Sequence, residues 1–90
     1  MYPEAFNNLG SAFQDAGILE KARNSYEQAI RLKPDYAMAY QHLSALKTFN
    51  SEDPQINKLK QLNENPDTNE IDKCHISFAL AKIFSNIYSD

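Results

Sequence analysis

From Pro3 to Pro34 the chain sets Phe6, Leu9, Gly10, Phe13, Ala22, Tyr26, Ala29 and Pro34 in one register of large, small and helix-stopping residues. Apolar residues at steps of three and four line one side of a helix, and the stripe interrupted at Gly17 resumes through Ile18, Leu19, Ala22, Tyr26, Ala29 and Ile30. Two helices joined by a short turn satisfy this pattern. The large groups fill the space between the helices, and Gly10, Ala22 and Ala29 mark the places of closest approach.

The helix boundaries follow from local chemistry. Pro3 suits a first turn, where no backbone donor is needed, and a first helix is expected to end near Ala16. Gly17 suits the left-handed position just past that end. The second helix is expected to end near Leu32 before Pro34, and Asp35 is the candidate N-cap of a third helix carrying Tyr36, Ala39, Tyr40, Leu43 and Leu46. Asp53 and Pro54 read as cap and first residue of a fourth helix with Ile56, Leu59 and Leu62 on its apolar side, and Lys58 and Lys60 read as its solvated face. Asp67 with Glu70 has the form of a capping box, opening a last helix through Ile76, Leu80, Ile83, Phe84 and Ile87. No partner helix follows that stripe, so Ile83, Phe84 and Ile87 are expected to seek cover, with self-association through the last helix as one route.

The register of the first two helices resembles the tetratricopeptide repeat, a two-helix unit of 34 residues. The resemblance continues through Tyr40, Leu43 and Ser44, one repeat after Phe6, Leu9 and Gly10, but Lys47 stands where an aromatic is expected. The division it implies is a complete repeat at 1–34, a degenerate second repeat at 35–66 and the leading helix of a third at 67–90, where Leu80, Ala81 and Phe84 fit the pattern. The implied fold is all-α, a right-handed superhelix of antiparallel helix pairs with about five helices. Val and Trp are absent, which leaves a sheet little material. Met1 and Tyr2 hold the place before the first repeat that Asp35 and Tyr36 hold before the second, so the chain reads as an excised piece of a repeat protein.

In this family the leading helices of successive repeats line a concave face that binds peptides or protein segments. The resemblance carries that role onto Glu4, Asn7, Ser11 and Gln14, then Met38, Gln41, Ala45 and Thr48, then His75, Phe78 and Lys82. Of these, Asn7, Ser11, Met38, Gln41, Ala45, Phe78 and Lys82 are the candidate contacts, with Met38 and Phe78 suited to apolar side chains of a ligand. Asn8 and His42 join them as the positions of the asparagine ladder that grips a peptide backbone in protein O-GlcNAc transferases, although the second rung is His rather than Asn. A clamp for a peptide carboxylate needs several cationic and amide donors, and only Asn7 and Lys82 serve.

Other chemistry finds little material. Cys74 and His75 are neighbours that diverge by about 100 degrees on a helix, so they do not face one ion together, and no metal or other cofactor is expected. Two histidines without a nucleophile motif give no catalytic set, and Gly10 and Gly17 do not make a phosphate loop. A net charge of -3 disfavours nucleic acid as a partner. No apolar run approaches a membrane span or signal peptide, one cysteine forms no internal disulfide, and the expected compartment is the cytoplasm. The expectation is a noncatalytic protein-binding scaffold. The alternative is a docking or dimerising arm of a larger enzyme, because His42 to Ser44, Lys47, Asp53, Pro54, Ile56, Leu62 and Phe78 to Lys82 resemble the irregular repeat arms that precede bacterial sulfotransferase domains.

Overall fold

The computed structural model describes residues 2–89 and contains five helices: α1 Pro3–Asp15, α2 Leu19–Leu32, α3 Ala37–Ser44, α4 Pro54–Glu64 and α5 Glu70–Tyr88. No strand occurs among the described residues. The fold is all-α, as expected, and consistent with a helical repeat.

Helices α1 and α2 pack as a hairpin around Tyr26, which is fully buried together with Ala22 and Ala29. The turn between them is closed by Gly17, at φ 78°, with its N–H donated to Gln14 O and the N–H of Ile18 donated to Phe13 O. Those two bonds form a Schellman motif, which needs a left-handed residue at the position Gly17 holds. Gly10 lies under the Tyr26 ring, and a Cβ there would stand 2.6 Å from Cε1 of that ring. A fully buried aromatic is the largest apolar contribution in this hairpin, on the order of 2–3 kcal/mol.

The second half differs from a repetition of the first. Helix α3 stops at Ser44, short of the expected Leu46, and its last turn tightens as Leu46 and Lys47 both donate their N–H groups to Leu43 O. The chain then wraps through a segment whose Phe49 is buried, and α4 starts at Pro54 with Asp53 capping it by accepting the Gln55 N–H at 2.9 Å. Helices α3 and α4 do not pack on each other as a hairpin. Instead α5, 19 residues long, packs against both, while α3 also packs against α2. Ile76, Ala79, Leu80 and Ile83 of α5 therefore join one core with Tyr40, Leu43, Ile56 and Leu59.

Three sequence expectations are corrected by this arrangement. Asp35 does not cap α3: the helix opens one residue later, with Tyr36 at the N-cap and no side-chain cap bond. Asp67 does not cap α5: the cap is Asn69, whose Oδ1 accepts the Asp72 N–H at 2.8 Å, while the Asp67 N–H is itself taken up by Asn65 Oδ1 in the preceding turn. Ile83 needs no partner molecule, being 1% exposed, because α5 crosses α3 and α4 and buries its own stripe; Phe84 and Ile87 are half-buried.

Candidate functional site

The candidate site is formed by α1, α3 and α5: α3 and α5 pack directly on each other, and side-chain bonds link α1 to α3. Asn7 of α1 donates its amide N–H to Met38 Sδ at 3.6 Å, and its Oδ1 lies 3.1 Å from His42 Nδ1, both on α3. Gln41 of α3 bonds through Oε1 to Nδ1 of His75 on α5. The two contacts are not repeats of one another: Asn7 and Met38 are 31 residues apart and Gln41 and His75 are 34 apart, and Met38 is the second residue of α3 whereas His75 is the sixth of α5.

Burial divides the expected contact residues. Asn7 is only 3% exposed and its amide is engaged on both sides, so it acts between helices rather than as an open donor. Ser11, Gln41 and His42 are half-buried. Ser11 Oγ and Gln14 Oε1 both hold the Tyr26 hydroxyl, at 3.3 and 2.7 Å, which ties the face to the hairpin core. Asn8, Met38, Ala45, Phe78 and Lys82 are exposed, Phe78 to 54%. With Asn7 engaged, Lys82 is the only one of the two clamp candidates left open. His42 bonds Asn7 through Nδ1, while Asn8 is exposed.

His42 lies with its ring 5.1 Å from that of Tyr26, tilted by 44°. Burial, with the neighbouring His75 as the second cause, holds its pKa below the ordinary 6.5. The imidazole is therefore neutral at physiological pH. The phenol of Tyr36, at the start of α3, is pushed up by burial and by the Glu4 carboxylate.

Two cavities lie apart from these residues. One, about 310 Å³, is bounded by Asp35, Leu62, Asn65, Asp67, Asp72 and Ile76 beside the 65–69 turn. The other, about 350 Å³, is bounded by Arg23, Asn24, Glu27, Lys47 and Thr48, and Thr48 is the one expected groove position that it reaches. Sequence reasoning missed the role of Lys47. It replaces an aromatic, and its ammonium meets Asp53 at 3.0 Å, Gln55 Oε1 at 2.8 Å, Glu27 at 3.7 Å and the Phe49 ring at 4.6 Å. It also missed the Asn7 to Met38 contact, which the spacing of 31 residues between polar and soft apolar positions on successive leading helices was able to suggest.

No group of three or more His, Cys, Asp or Glu able to hold a metal occurs among the described residues, and no helix there is long and apolar enough to cross a membrane. The five helices are consistent with a helical-repeat all-α fold. Residues 3–36 match the family model of the tetratricopeptide repeat, so the first hairpin is similar to that repeat, and a repeat of this kind points to protein partners. Comparison with curated proteins gives no match, and neither does comparison with solved structures. The likeness of the second half to arms that precede sulfotransferase domains has no support from these comparisons.

Proposed function

We propose that the chain is a noncatalytic scaffold that binds an extended protein or peptide segment along the face of α1, α3 and α5. The observation that carries this reading is that side-chain contacts run from α1 to α3 through Asn7 and Met38 and from α3 to α5 through Gln41 and His75, which supports reading the three helices as one face. The division into units at 1–34, 35–66 and 67–90 belongs to the same reading. On that face Met38 and Phe78 offer exposed apolar surface and Ser11, Gln41 and His42 offer hydrogen-bonding groups, while Asn8, Ala45 and Lys82 are also exposed. Affinity from such a face is the sum of modest contacts, and the two apolar groups are its natural anchors.

The test is an array of extended peptides screened on the chain, with the best binder then titrated in solution. Met38→Glu combined with Phe78→Glu is expected to weaken that binder by tenfold or more, about 1.4 kcal/mol. Arg31→Glu, at an exposed position of α2, a helix that supplies no contact residue to this reading, is expected to leave it within about twofold, well under that energy. Equal affinity for the groove variant and the unsubstituted chain would remove the face from consideration.

A further inference from the structure

Helix α5 is apolar on two sides. One side carries Ile76, Ala79, Leu80 and Ile83 into the core. On the other, Ile71, Cys74, Phe78, Ala81 and Tyr88 recur at steps of three and four, with Ser85 between the last two, and every one of them is exposed, Ile71 to 72% and Tyr88 to 74%. A surface helix ordinarily turns charged and polar residues to water, so an open apolar stripe along its whole length calls for cover.

Helix α1 has a stripe of the same kind: Tyr2 at its N-cap, Ala5, Leu9, Ala12 and Ala16 at its C-cap follow the same steps and are exposed. Ala39 and Leu43, 34 residues after Ala5 and Leu9, are fully buried on α3, which packs against both α2 and α5. The same residue types in the same relative places are thus covered on α3 and open on α1. The packing order runs α1 on α2, α2 on α3 and α3 on α5, so the two open stripes belong to the first and last helices of that order.

Their charges are opposite. α1 carries two carboxylates, Glu4 and Asp15, and no Lys or Arg. From Cys74 to Ser89 α5 has no Asp or Glu; Lys82 stands one turn after Phe78, and Lys60 of α4 reaches over the Phe84 ring at 5.4 Å. Among the described residues none of these four charges is in an ion pair. The cation that lies against α1, Lys21 of α2, sits over Phe13, which is not part of the stripe. One edge is apolar and acidic and the other apolar and basic, whereas α5 against α5, or α1 against α1, sets like charges together.

We propose that copies of the chain associate head to tail, the apolar edge of α1 on one copy docking on the outer face of α5 on the next, with Glu4 and Asp15 facing Lys82 and Lys60. Tyr2, Phe78 and Tyr88 can each bury about 150–250 Å². That keeps the contact below about 1,200 Å², where stable interfaces begin, so association is expected at hundreds of micromolar rather than at nanomolar concentration. A head-to-tail contact leaves one open edge at each end and can repeat without closing. The inference goes beyond the peptide-binding reading and shares only Phe78 and Lys82 with it, and the substitutions that test it leave both unchanged.

The experiment is sedimentation velocity of the 90-residue chain from about 10 μM to about 1 mM, beside two double variants. Ala5→Arg with Ala12→Arg blocks the α1 edge; Ala81→Gln with Tyr88→Gln blocks the α5 face with bulk and no charge, so that the two substituted edges do not attract each other. The mass of the unsubstituted chain is expected to rise with concentration, each variant to stay monomeric, and an equal mixture of the two to associate again but stop at the dimer, because each brings one intact edge. A monomeric unsubstituted chain at about 1 mM, an α1 variant that associates as strongly as the unsubstituted chain, or a mixture that stays monomeric overturns the proposal. Between about 0.02 and 0.5 M salt the association is expected to weaken severalfold, and an association that salt strengthens or leaves unchanged overturns the charge pairing. Amide shifts of the unsubstituted chain on dilution decide the matter if a variant does not fold: changes on the exposed stripes of both α1 and α5 are expected, and changes confined to either one overturn the pairing.

Discussion

The ring of Tyr26 lies so close over Gly10 that a Cβ on that residue would stand 2.6, 2.7 and 2.9 Å from three of its carbons. The atoms in the way belong to a fully buried ring whose hydroxyl is held by Gln14 and Ser11, so the ring has no free direction in which to yield. Gly10→Ala gains about 1 kcal/mol of helix propensity but overpacks this contact at a cost of about 1–3 kcal/mol. The expected balance is a loss of about 1 kcal/mol, read as a lower urea midpoint with an unchanged slope. A midpoint equal to or above that of the unsubstituted chain would show that the close approach is not what holds glycine there.

Tyr40 makes stability depend on alkaline pH. Its phenol is pushed up to about 12 by burial first and by the carboxylates of Glu27, Asp35 and Asp53 after it, and it donates to Pro34 O at 2.8 Å. The ordinary value is 10, so the folded state disfavours ionisation more than the unfolded state does. The contribution is fully present below pH 10 and is lost between pH 10 and about 12. It amounts to about 2–3 kcal/mol across that interval. Tyr40→Phe is expected to cost about 1 kcal/mol near neutral pH through the lost hydrogen bond and to be flatter above pH 10. Urea unfolding of both proteins from neutral to alkaline pH gives the difference, and parallel curves would rule out Tyr40 as its source.

Restoring the repeat pattern at Lys47 is expected to harm the protein. Lys47 stands 34 residues after Phe13, where the repeat pattern expects an aromatic, but its ammonium holds Asp53, the cap of α4, and lies near Glu27, whose buried Oε1 has no hydrogen bond. Lys47→Phe supplies apolar area and removes the cation between two carboxylates. Both acids are partly screened, so the net loss is expected at about 1–2 kcal/mol rather than the larger figure of a fully buried pair. The loss should shrink when Asp53 is also changed to Asn, which keeps a capping oxygen. A Lys47→Phe variant more stable than the parent would mean that the repeat pattern outweighs the local charges.

The first hairpin was legible because nearly every signature residue has a one-to-one physical task there: Gly10 yields to Tyr26, Gly17 takes the positive φ, and Pro34 follows the end of α2. The second half was not. Ala45, Leu46 and Lys47 have good helix propensity, and nothing local announces that α3 ends at Ser44. The packing of α5 on both α3 and α4 is a tertiary choice among several apolar stripes, and it is what covers Ile83. On the candidate face, residue types were readable but exposure was not. Asn7 looked like an open donor until its two partners on α3 became visible.

The start of α5 distinguishes a capping pattern from a cap in fact. Asp67 and Glu70 have the spacing of a capping box, yet Asn69 Oδ1 takes the Asp72 N–H, and Asn69 Nδ2 also reaches Asp72 Oδ2 at 3.2 Å. Thr68 ties the turn back to α4 by donating to Leu62 O at 2.8 Å, which places Asn69 rather than Asp67 at the mouth of the helix. Asn69→Ala is expected to cost about 1 kcal/mol, the ordinary value of an N-cap, whereas Asp67→Ala should fall within a few tenths. Because α5 is the shared partner of α3 and α4, the loss at Asn69 should appear in the global urea midpoint and not only as fraying of one end. The reverse order of the two substitutions would reinstate the capping box.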